Sequence, residues 1–376
     1  MKVLILTNLD SFFLSHVLDR ALYIREQGWQ VVVAAKETDE SKRRKIEDYG
    51  FEFYDTNIER KSIGILAQVR DIVTLYRIYK SVSPDICFHL GAKYIFWGTL
   101  VSRLIRPIPK VLNAPIGLGY IFTSRSTKAK LLRPIVTFLY KILLNPRGSR
   151  VIIENNDDIN FFCEIHSLGK KYVSLIPGAG VDTELFSPQE RKDEKCTVVM
   201  VSRLIKEKGV YEFIEVAKRL YSDNINVNME LIGEPDFGSP SSITEKEYED
   251  LRNSNYLKCY GYSENVADLL KRADIGCLPS YREGLPRALI EACSCGLAIV
   301  TTDTVGCREI VINNNGILIP VKNVDALYDA IKYLVQHIDE RKLMGKNSRT
   351  LALTRFDNKV IRKQTFDVLK DLLLDS

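Results

Sequence analysis

Short apolar runs alternate with helical stretches along most of the chain, and this alternation constrains the fold more than any other feature. The runs predicted as strands are KVLILT, QVVVAA, FEFYDT, DICFHL, KVLNAPIG, RVIIEN and KYVSLIP in the first half, and CTVVMVSRL, NVNMELIG, YLKCYGY, DIGCLPS, AIVTTD and GILIPV in the second. Strands that alternate with helices pair in parallel and are covered on both faces. Between the halves, IPGAGVDTELFSPQERKDEK interrupts the pattern with glycine, proline and charge, which is typical of a linker.

The sequence therefore predicts an α/β protein with two Rossmann-like domains that face a cleft. Its 376 residues are enough for two separate hydrophobic cores. The predicted domains span residues 1–185 and 190–355. The last segment, residues 356–376, is a predicted helix that can pack on either domain, including back on the first. In such sheets ligands bind at the carboxyl ends of the strands.

Composition excludes several classes of protein. With 45% hydrophobic and 27% charged residues, the chain has an ordinary globular composition. The first residues turn polar too early for a signal peptide, and no stretch reaches the roughly 18 apolar residues of a membrane-spanning helix. The eight cysteines include no CxxC pair, so we expect reduced thiols and no metal site. The expected location is the cytoplasm, either free or peripheral to the membrane.

One segment of the first half is strongly basic, although the net charge of the chain is only +5. Residues 86–153 contain eleven basic residues and no acidic one, and KAKLLRPIVTFLYKILL interleaves basic with apolar residues. A helix of this kind suits an anionic membrane surface, where each basic residue contributes about 1 kcal/mol. A core helix with solvated basic residues is the alternative. Nucleic acid is not an expected partner, because no recognition motif accompanies the charge.

The segment PSYREGLPRALIEACSCG carries the most specific chemistry, because Glu283 and Glu291 bracket a predicted turn from a strand into a helix. Gly284 tolerates unusual backbone angles, and Pro286 suits a first helical position. Such a turn directs N–H groups at one spot and can bind a phosphate there. Carboxylates beside it accept hydrogen bonds from hydroxyl groups, so the segment predicts a nucleotide-sugar site. The alternatives are a helix-cap role for Glu283 and a solvated helix face for Glu291.

Two cations follow the first strand of the second half, in VSRLIKEKG. Arg203 and Lys208 come just after the predicted strand end, where they would neutralise a diphosphate. Taken alone, they are ordinary charges of a solvated loop. Together with the neighbouring phosphate turn, they become candidate ligands of one anion.

These motifs resemble those of the family 4 retaining glycosyltransferases, which have the GT-B fold. The resemblance covers nearly all of the second half and is close over residues 258–320; SRLIKEKG resembles the Arg-x4-Lys element of the family, and EGLPRALIE resembles its Glu-x7-Glu element. It implies that Arg203 and Lys208 hold the donor diphosphate and stabilise its charge as the glycosidic bond breaks. Glu283 would then face the transferred sugar, and these three residues would be the catalytic ones.

The same resemblance implies further donor contacts. Backbone N–H groups around Gly284 and Leu285 would bind the diphosphate, Glu291 would bind the ribose, and the loop with Tyr262 and Ser263 would lie near the base. It also implies retention of the anomeric configuration. No divalent metal is expected, because fixed cations and a helix terminus would do its work.

The first half resembles the family only loosely and supplies the acceptor-binding candidates. His16 lies in the turn after the first strand, with helix capping or simple exposure as its alternative roles. Lys93 and the loop Gly117–Gly119 are candidates for binding a diphosphate on the acceptor. Many family members have a histidine in a loop that corresponds roughly to NAPIGLG, where this chain has Asn113. In this respect the loop resembles relatives that elongate sugars on lipid diphosphates.

The predicted function is retaining transfer of a hexose or N-acetylhexosamine, without a cofactor, from a UDP-sugar to a lipid-diphosphate-linked sugar. Such a step belongs to the synthesis of capsule, lipopolysaccharide or another surface glycan, and the inner membrane surface is an expected partner. A UDP-sugar epimerase of the same fold and a glycosyltransferase with a soluble acceptor stay open as alternatives. A pure binding module would need neither the second cation nor two placed carboxylates.

Overall fold

The computed structural model describes residues 1–59, 62, 64–116, 122, 127–146, 148–166, 168–189 and 195–374. The chain divides into two compact units. The first comprises Met1–Ala179 and Ile361–Ser376, and the second comprises Gly180–Val360. Each unit is built on a parallel sheet covered by helices, which confirms the predicted fold class.

The sheet of the first unit has seven strands within the described residues. These are β1 Lys2–Leu9, β2 Gln30–Lys36, β3 Glu52–Asp55, β4 Ile86–Leu90, β5 Lys110–Ala114, β6 Ser149–Ile153 and β7 Val173–Leu175. Their order is β3-β2-β1-β4-β5-β6-β7, and every pair is parallel. The residues of β1 from Val3 to Leu6 are all fully buried, because both faces of the sheet are covered.

The helices of the first unit lie on the two faces of this sheet. The longer ones are α1 Leu18–Glu26, α2 Glu40–Asp48, α3 Ile65–Val82, α4 Thr99–Ser102, α5 Thr127–Leu143 and α6 Asn156–His166. Short helical turns lie at Asp10–Phe12 and Lys170–Tyr172, and π-helical turns at Phe13–Val17 and Tyr94–Gly98. One face carries α1 and α2, which pack with Val3 and Ile5 of β1. The other face carries α3, which packs with Leu4 and Leu6, and α5, which packs with Val151 of β6.

The second unit contains a six-stranded parallel sheet within the described residues. Its strands are β8 Cys196–Val201, β9 Val227–Ile232, β10 Lys258–Gly261, β11 Ile275–Leu278, β12 Ala298–Thr302 and β13 Gly316–Ile319. Their order is β10-β9-β8-β11-β12-β13. The helices around it are α7 Val210–Ser222, α8 Glu245–Arg252, α9 Val266–Lys271, α10 Arg287–Ser294, α11 Val324–Gln336 and α12 Ile338–Leu351.

The last helix, α13 Asn358–Leu374, starts in the second unit and continues in the first. Its apolar face joins the core of the first unit on the side of α1. There Phe366 meets the ring of Tyr23 at 5.9 Å and that of Trp29 at 4.9 Å between ring centres. The first unit is therefore completed by a segment that follows the second unit in the chain.

Candidate active site

The segment that carries Glu283 connects β11 to α10. Pro286 precedes the helix in an extended conformation (φ −74°, ψ 104°), so the chain enters α10 abruptly. The first turn of α10 contains no acidic residue, which leaves the positive end of the helix dipole uncompensated by its own sequence. This is the strand-to-helix turn that the sequence predicted as an anion site.

Lys208 and Glu283 form the centre of the site, although they are 75 residues apart in the chain. Lys208 ends the 3-10 turn Lys206–Lys208, which follows β8. Its Nζ donates to Glu283 Oε1 at 2.6 Å and to Oε2 at 2.8 Å. Ser280 Oγ donates to the same Oε1 at 2.7 Å. Both charged side chains are mostly buried, so the pair is shielded from water and its geometry is fixed.

Close backbone packing keeps the two loops of the site together. Gly209 has φ +76°, and a Cβ at this position would lie 2.1 Å from the carbonyl oxygen of Pro279. Beside it, the carbonyl oxygen of Glu207 accepts from the Tyr281 N–H at 2.8 Å and lies 3.0 Å from Ser280 Oγ. Only glycine permits this approach, because any side chain would push the Lys208 loop away from the Glu283 loop.

A third loop supports the Glu283 segment from the other side. The N–H of Glu283 donates to the carbonyl oxygen of Val305 at 3.1 Å. A Cβ on Gly306 would lie 2.5 Å from the carbonyl oxygen of Gly284. The Glu283 carboxylate is thus positioned by neighbours on both sides, and its placement does not depend on a ligand.

Arg203 also follows β8, but the structure pairs it with another residue. Its Nη1 donates to Asp236 Oδ2 at 2.8 Å, and the side chain is 63% exposed. Exposed ion pairs of this kind contribute little to stability, so the pairing costs little to break. Arg203 lies at the predicted strand end, but its side chain is not bonded to the Lys208–Glu283 pair.

The other predicted donor residues lie on the same unit. Glu291 is mostly buried in α10 and accepts from Arg287 Nε at 2.8 Å, and burial raises its pKa. It is therefore not part of a solvated helix face. Leu285 packs against the core of the unit next to Gly284. In the loop after β10, Tyr262 is well exposed, and Ser263 Oγ accepts from the Asn265 N–H at 3.1 Å.

The structure places the acceptor-side candidates His16 and Lys93 in contact with other residues of the first unit. His16 lies in the first π-helical turn, where its ring stacks on Phe12 at 4.4 Å between ring centres. Lys93 Nζ donates to Asp71 Oδ2 at 2.8 Å and to the carbonyl oxygen of Glu59 at 2.7 Å. The charge of Lys93 is thus already compensated inside the protein. Gly117 and Gly119 lie outside the described residues.

Direct binding of an acceptor by Asn113 is not supported by the structure. Asn113 is fully buried in β5, where its Oδ1 contacts His89 Nδ1 at 2.8 Å and its Nδ2 donates to the carbonyl oxygen of Leu144 at 2.7 Å. His89 Nε2 is in turn bonded to Tyr79 at 2.6 Å. Burial lowers the pKa of His89 to about 4, so this network is neutral near pH 7. Its role is to hold the strands and α3 together.

Sequence reasoning missed two charged residues of the first unit. Arg20 of α1 is buried, and its guanidinium donates to the carbonyl oxygen of Gly178. Glu154 directly follows β6, at the edge of the sheet where strand carboxyl ends gather. Burial raises the pKa of Glu154 to about 7, and Arg20 opposes this rise. The signal that could have revealed Glu154 is its position directly after an apolar strand and at the end of an acid-free run.

Glu154→Gln is expected to remove a pH-dependent loss of stability from the first unit. The pKa of Glu154 is 4.5 ordinarily and about 7 in the fold, so between these values the folded protein binds more protons than the unfolded chain. The free energy of unfolding therefore falls as pH rises through this window, by about 1–3 kcal/mol since the side chain keeps some contact with water. Urea unfolding at pH 4.5, 6 and 8 measures this change in the free energy of unfolding. Glu164 is exposed, so Glu164→Gln serves as the control. Parallel pH profiles of wild type and Glu154→Gln would contradict the assignment.

Family models match both halves of the chain. A family model described as "Glycosyl transferases group 1" matches residues 181–351, and one described as "Glycosyl transferase 4-like" matches residues 2–156. The N,N'-diacetylbacillosaminyl-diphospho-undecaprenol alpha-1,3-N-acetylgalactosaminyltransferase of Campylobacter jejuni is 27% identical over 85% of this chain and 86% of its own. The UDP-Gal:alpha-D-GlcNAc-diphosphoundecaprenol alpha-1,3-galactosyltransferase of Escherichia coli is 26% identical over 84% of this chain and 81% of its own.

A solved structure shows the same fold over the whole chain. HepE of Anabaena, crystallised with UDP and glucose, superposes with a TM-score of 0.77 at 19% identity, and the match covers 99% of this chain and 100% of that one. The two family models together span both units. The chain belongs to the glycosyltransferases of the GT-B fold, with a family 4-like first half and a group 1 second half.

Proposed function

We propose that the chain transfers a hexose or N-acetylhexosamine from a UDP-sugar to a sugar carried on a polyprenyl diphosphate. Transfer retains the anomeric configuration and uses no metal ion. One observation carries the proposal: Lys208 and Glu283 lie within hydrogen-bond distance of each other at the turn into α10. A cation suited to a diphosphate and a carboxylate suited to sugar hydroxyls are thus adjacent.

The proposed reaction exchanges one bond at the anomeric carbon for another. The bond to the β-phosphate oxygen of the donor breaks, and the diphosphate takes the bonding electron pair. The Lys208 ammonium stabilises the charge that develops there, as does the N-terminus of α10, whose dipole is equivalent to about half a positive charge. The acceptor hydroxyl oxygen forms the new bond to the anomeric carbon, and its proton goes to the departing diphosphate.

Donor binding is expected to rearrange the Lys208–Glu283 pair. In the structure both Glu283 oxygens accept from Lys208. A diphosphate carries more negative charge than one carboxylate and would compete for these N–H donors. Glu283 would then accept from the hydroxyls of the sugar. Arg203 would supply a second cation on leaving its exposed contact with Asp236.

The names of two relatives support the choice of substrates. Both act on a sugar attached to diphospho-undecaprenol, and the name of the second specifies UDP-Gal as its donor. Each matches more than four fifths of this chain. A lipid-borne acceptor places the enzyme at the cytoplasmic face of the inner membrane, and the basic helix α5 is the part of the sequence suited to that surface.

A radiolabel assay tests the proposal. The protein is incubated with labelled UDP-sugars and with the diphospho-undecaprenol forms of N-acetylglucosamine or diacetylbacillosamine, and the lipid phase is extracted. We expect label in the lipid phase only when both substrates are present. The coupling constant of the new anomeric proton then reports whether the α configuration of the donor is retained.

The other outcomes contradict the proposal in different ways. Turnover of the UDP-sugar to an epimer or free sugar without acceptor would favour the epimerase. Label that appears only on a water-soluble sugar would leave a glycosyltransferase but remove the lipid acceptor. Transfer that requires added Mg²⁺ and is abolished by a chelator would overturn the metal-independent mechanism.

A further inference from the structure

Two helices of the first unit leave apolar side chains in water at helical spacing. Along α3 these are Ile65, Leu66, Val69, Val73 and Tyr76, and along α5 they are Leu131, Ile135, Phe138 and Ile142. We call these two rows the apolar stripes. Among the described residues, no helix is long and apolar enough to span a bilayer. Each stripe covers one side of its helix, as in helices that lie in a membrane surface.

The two stripes belong to the same side of the molecule. Across the sheet, Leu6 pairs with His89, His89 pairs with Asn113, and Asn113 pairs with Val151, so these residues point to one face. The core cluster of α3 contains Leu6, and that of α5 contains Val151. Trp97 packs against both clusters and donates to Gln68 of α3 at 2.8 Å. The apolar stripes therefore lie on neighbouring helices of one face.

The exposed charged side chains on the two helices have one sign. The exposed charged side chains described on α3 are Arg70, Arg77 and Lys80, and those on α5 are Lys130 and Lys141. The single acidic residue of α3 is Asp71, which is buried and bonded to Lys93. Helix α5 contains no acidic residue. The exposed charges carried by the two helices themselves are thus all positive, which complements an anionic lipid surface.

Exposure is greatest at the amino-terminal end of both helices. It falls from 87% at Leu66 to 38% at Tyr76 in α3, and from 72% at Leu131 to 43% at Ile142 in α5. Each helix connects two parallel strands, β3 to β4 and β5 to β6, so each begins at the carboxyl-end edge of the sheet. The most exposed apolar residues thus lie at the edge where ligands of such sheets bind.

We propose that the amino-terminal turns of α3 and α5 insert together into the surface of an anionic bilayer, so that the part of this helical face next to the carboxyl-end edge of the first sheet lies on the lipid headgroups. The docking proposal deepens the proposed function and rests on it, because docking serves the enzyme only if the acceptor is carried by a lipid. A diphosphate-linked acceptor would then reach that edge without leaving the bilayer. The docking itself involves neither donor nor acceptor and can be measured without them.

Leu104 offers a matched control for the orientation. It is 58% exposed and lies between the exposed Arg103 and Arg106, so its surroundings are also apolar and basic. It follows α4 and precedes β5, which places it at the amino-end edge of the same sheet. An enzyme docked by the carboxyl-end edge leaves Leu104 in water.

Flotation with vesicles tests the proposal, using phosphatidylethanolamine with phosphatidylglycerol, and phosphatidylcholine alone as the neutral comparison. Leu66→Glu and Leu131→Glu are each expected to weaken binding to the anionic vesicles by at least about tenfold, since each removes an apolar group from the interface and adds repulsion. The double variant is expected to lose binding. Leu104→Glu and Ile142→Glu are expected to stay within about twofold of wild type, since they lie away from the inserted edge.

Several results would overturn this orientation. Unchanged binding by Leu66→Glu and Leu131→Glu would remove the stripes from the interface. A loss with Leu104→Glu equal to that with Leu66→Glu would show that docking is not by the carboxyl-end edge. Equal binding to neutral vesicles would remove the role of charge. If wild type is a dimer that Leu66→Glu dissociates while vesicle binding persists, the stripes contact a second copy instead.

Calorimetry measures UDP binding, and thermal unfolding measures stability. We expect both to be unchanged in the glutamate variants, which would show that the fold and the donor site are intact. Activity on a detergent-dispersed acceptor separates the two proposals. We expect Leu66→Glu to keep this activity while losing vesicle binding. Wild-type binding to anionic vesicles without any transfer would refute the proposed function and leave the docking.

Discussion

Lys208→Ala is expected to lower kcat by about 10²–10³-fold, which is the typical effect of removing one fixed donor from a developing negative charge. Among the described residues, the substitution leaves Ser280 as the side-chain partner of Glu283, which stays in a mostly buried position. Some loss of stability should therefore accompany the loss of rate. Initial rates of label transfer at saturating donor measure kcat directly.

Lys206→Ala is the matched control for this prediction. Lys206 belongs to the same 3-10 turn and is exposed, so its loss changes the local charge equally without touching Glu283. Lys206→Ala is expected to retain kcat within about twofold, because water and salt screen the effect of an exposed charge on the reacting groups. Wild-type kcat in Lys208→Ala, or equal losses in both variants, would remove Lys208 from the mechanism.

Gly209→Ala is expected to have the second large effect, by separating the two loops of the active site. Its Cβ would lie 2.1 Å from the carbonyl oxygen of Pro279, and the backbone there has φ +76°. We expect a loss of about 2–4 kcal/mol in the free energy of unfolding of the second unit, together with at least a hundredfold loss in kcat, as for other strained backbone positions at functional sites. Urea unfolding and transfer rates measure the two effects.

Gly28→Ala isolates the contribution of the backbone angle. Gly28 has φ +81°, but a Cβ there would meet nothing within 4 Å. This variant should therefore lose only about 1–2 kcal/mol, the cost of a left-handed conformation for a residue with a Cβ. It should retain full activity. If Gly209→Ala loses no more stability than Gly28→Ala and keeps its rate, the close approach to Pro279 does not hold the site together.

The strands and the donor turn were predictable because they depend on local pattern. Strands buried on both faces are nearly continuous apolar runs, and the break between the run IGCLPS and the helical stretch ALIEACSC marks the turn. In detail, Pro286 precedes α10 and is not its first residue, and Gly284 does not have a positive φ. The bond between Lys208 and Glu283 was not predictable from pattern alone. It requires β8 and β11 to be neighbours in the sheet, which strand order decides and periodicity does not.

The buried position of Asn113 was not predictable from the sequence. The run KVLNAPIG was predicted as a strand, but Asn113 within it was also assigned to a loop that binds the acceptor, whereas β5 continues through Ala114. The partner that allows burial of Asn113 is His89 on the neighbouring strand. The stripe on α3 was missed for a related reason. Helical spacing of apolar residues reveals an apolar side, but not whether another element covers it.

The position of α13 has a consequence for synthesis on the ribosome. The first unit needs residues 361–376 to complete the core next to Tyr23 and Trp29, but these are translated after the whole second unit. The nascent first unit must therefore wait with an open apolar groove while about half of the chain is still being made. The second unit has no such delay, so it can finish folding first although it begins later.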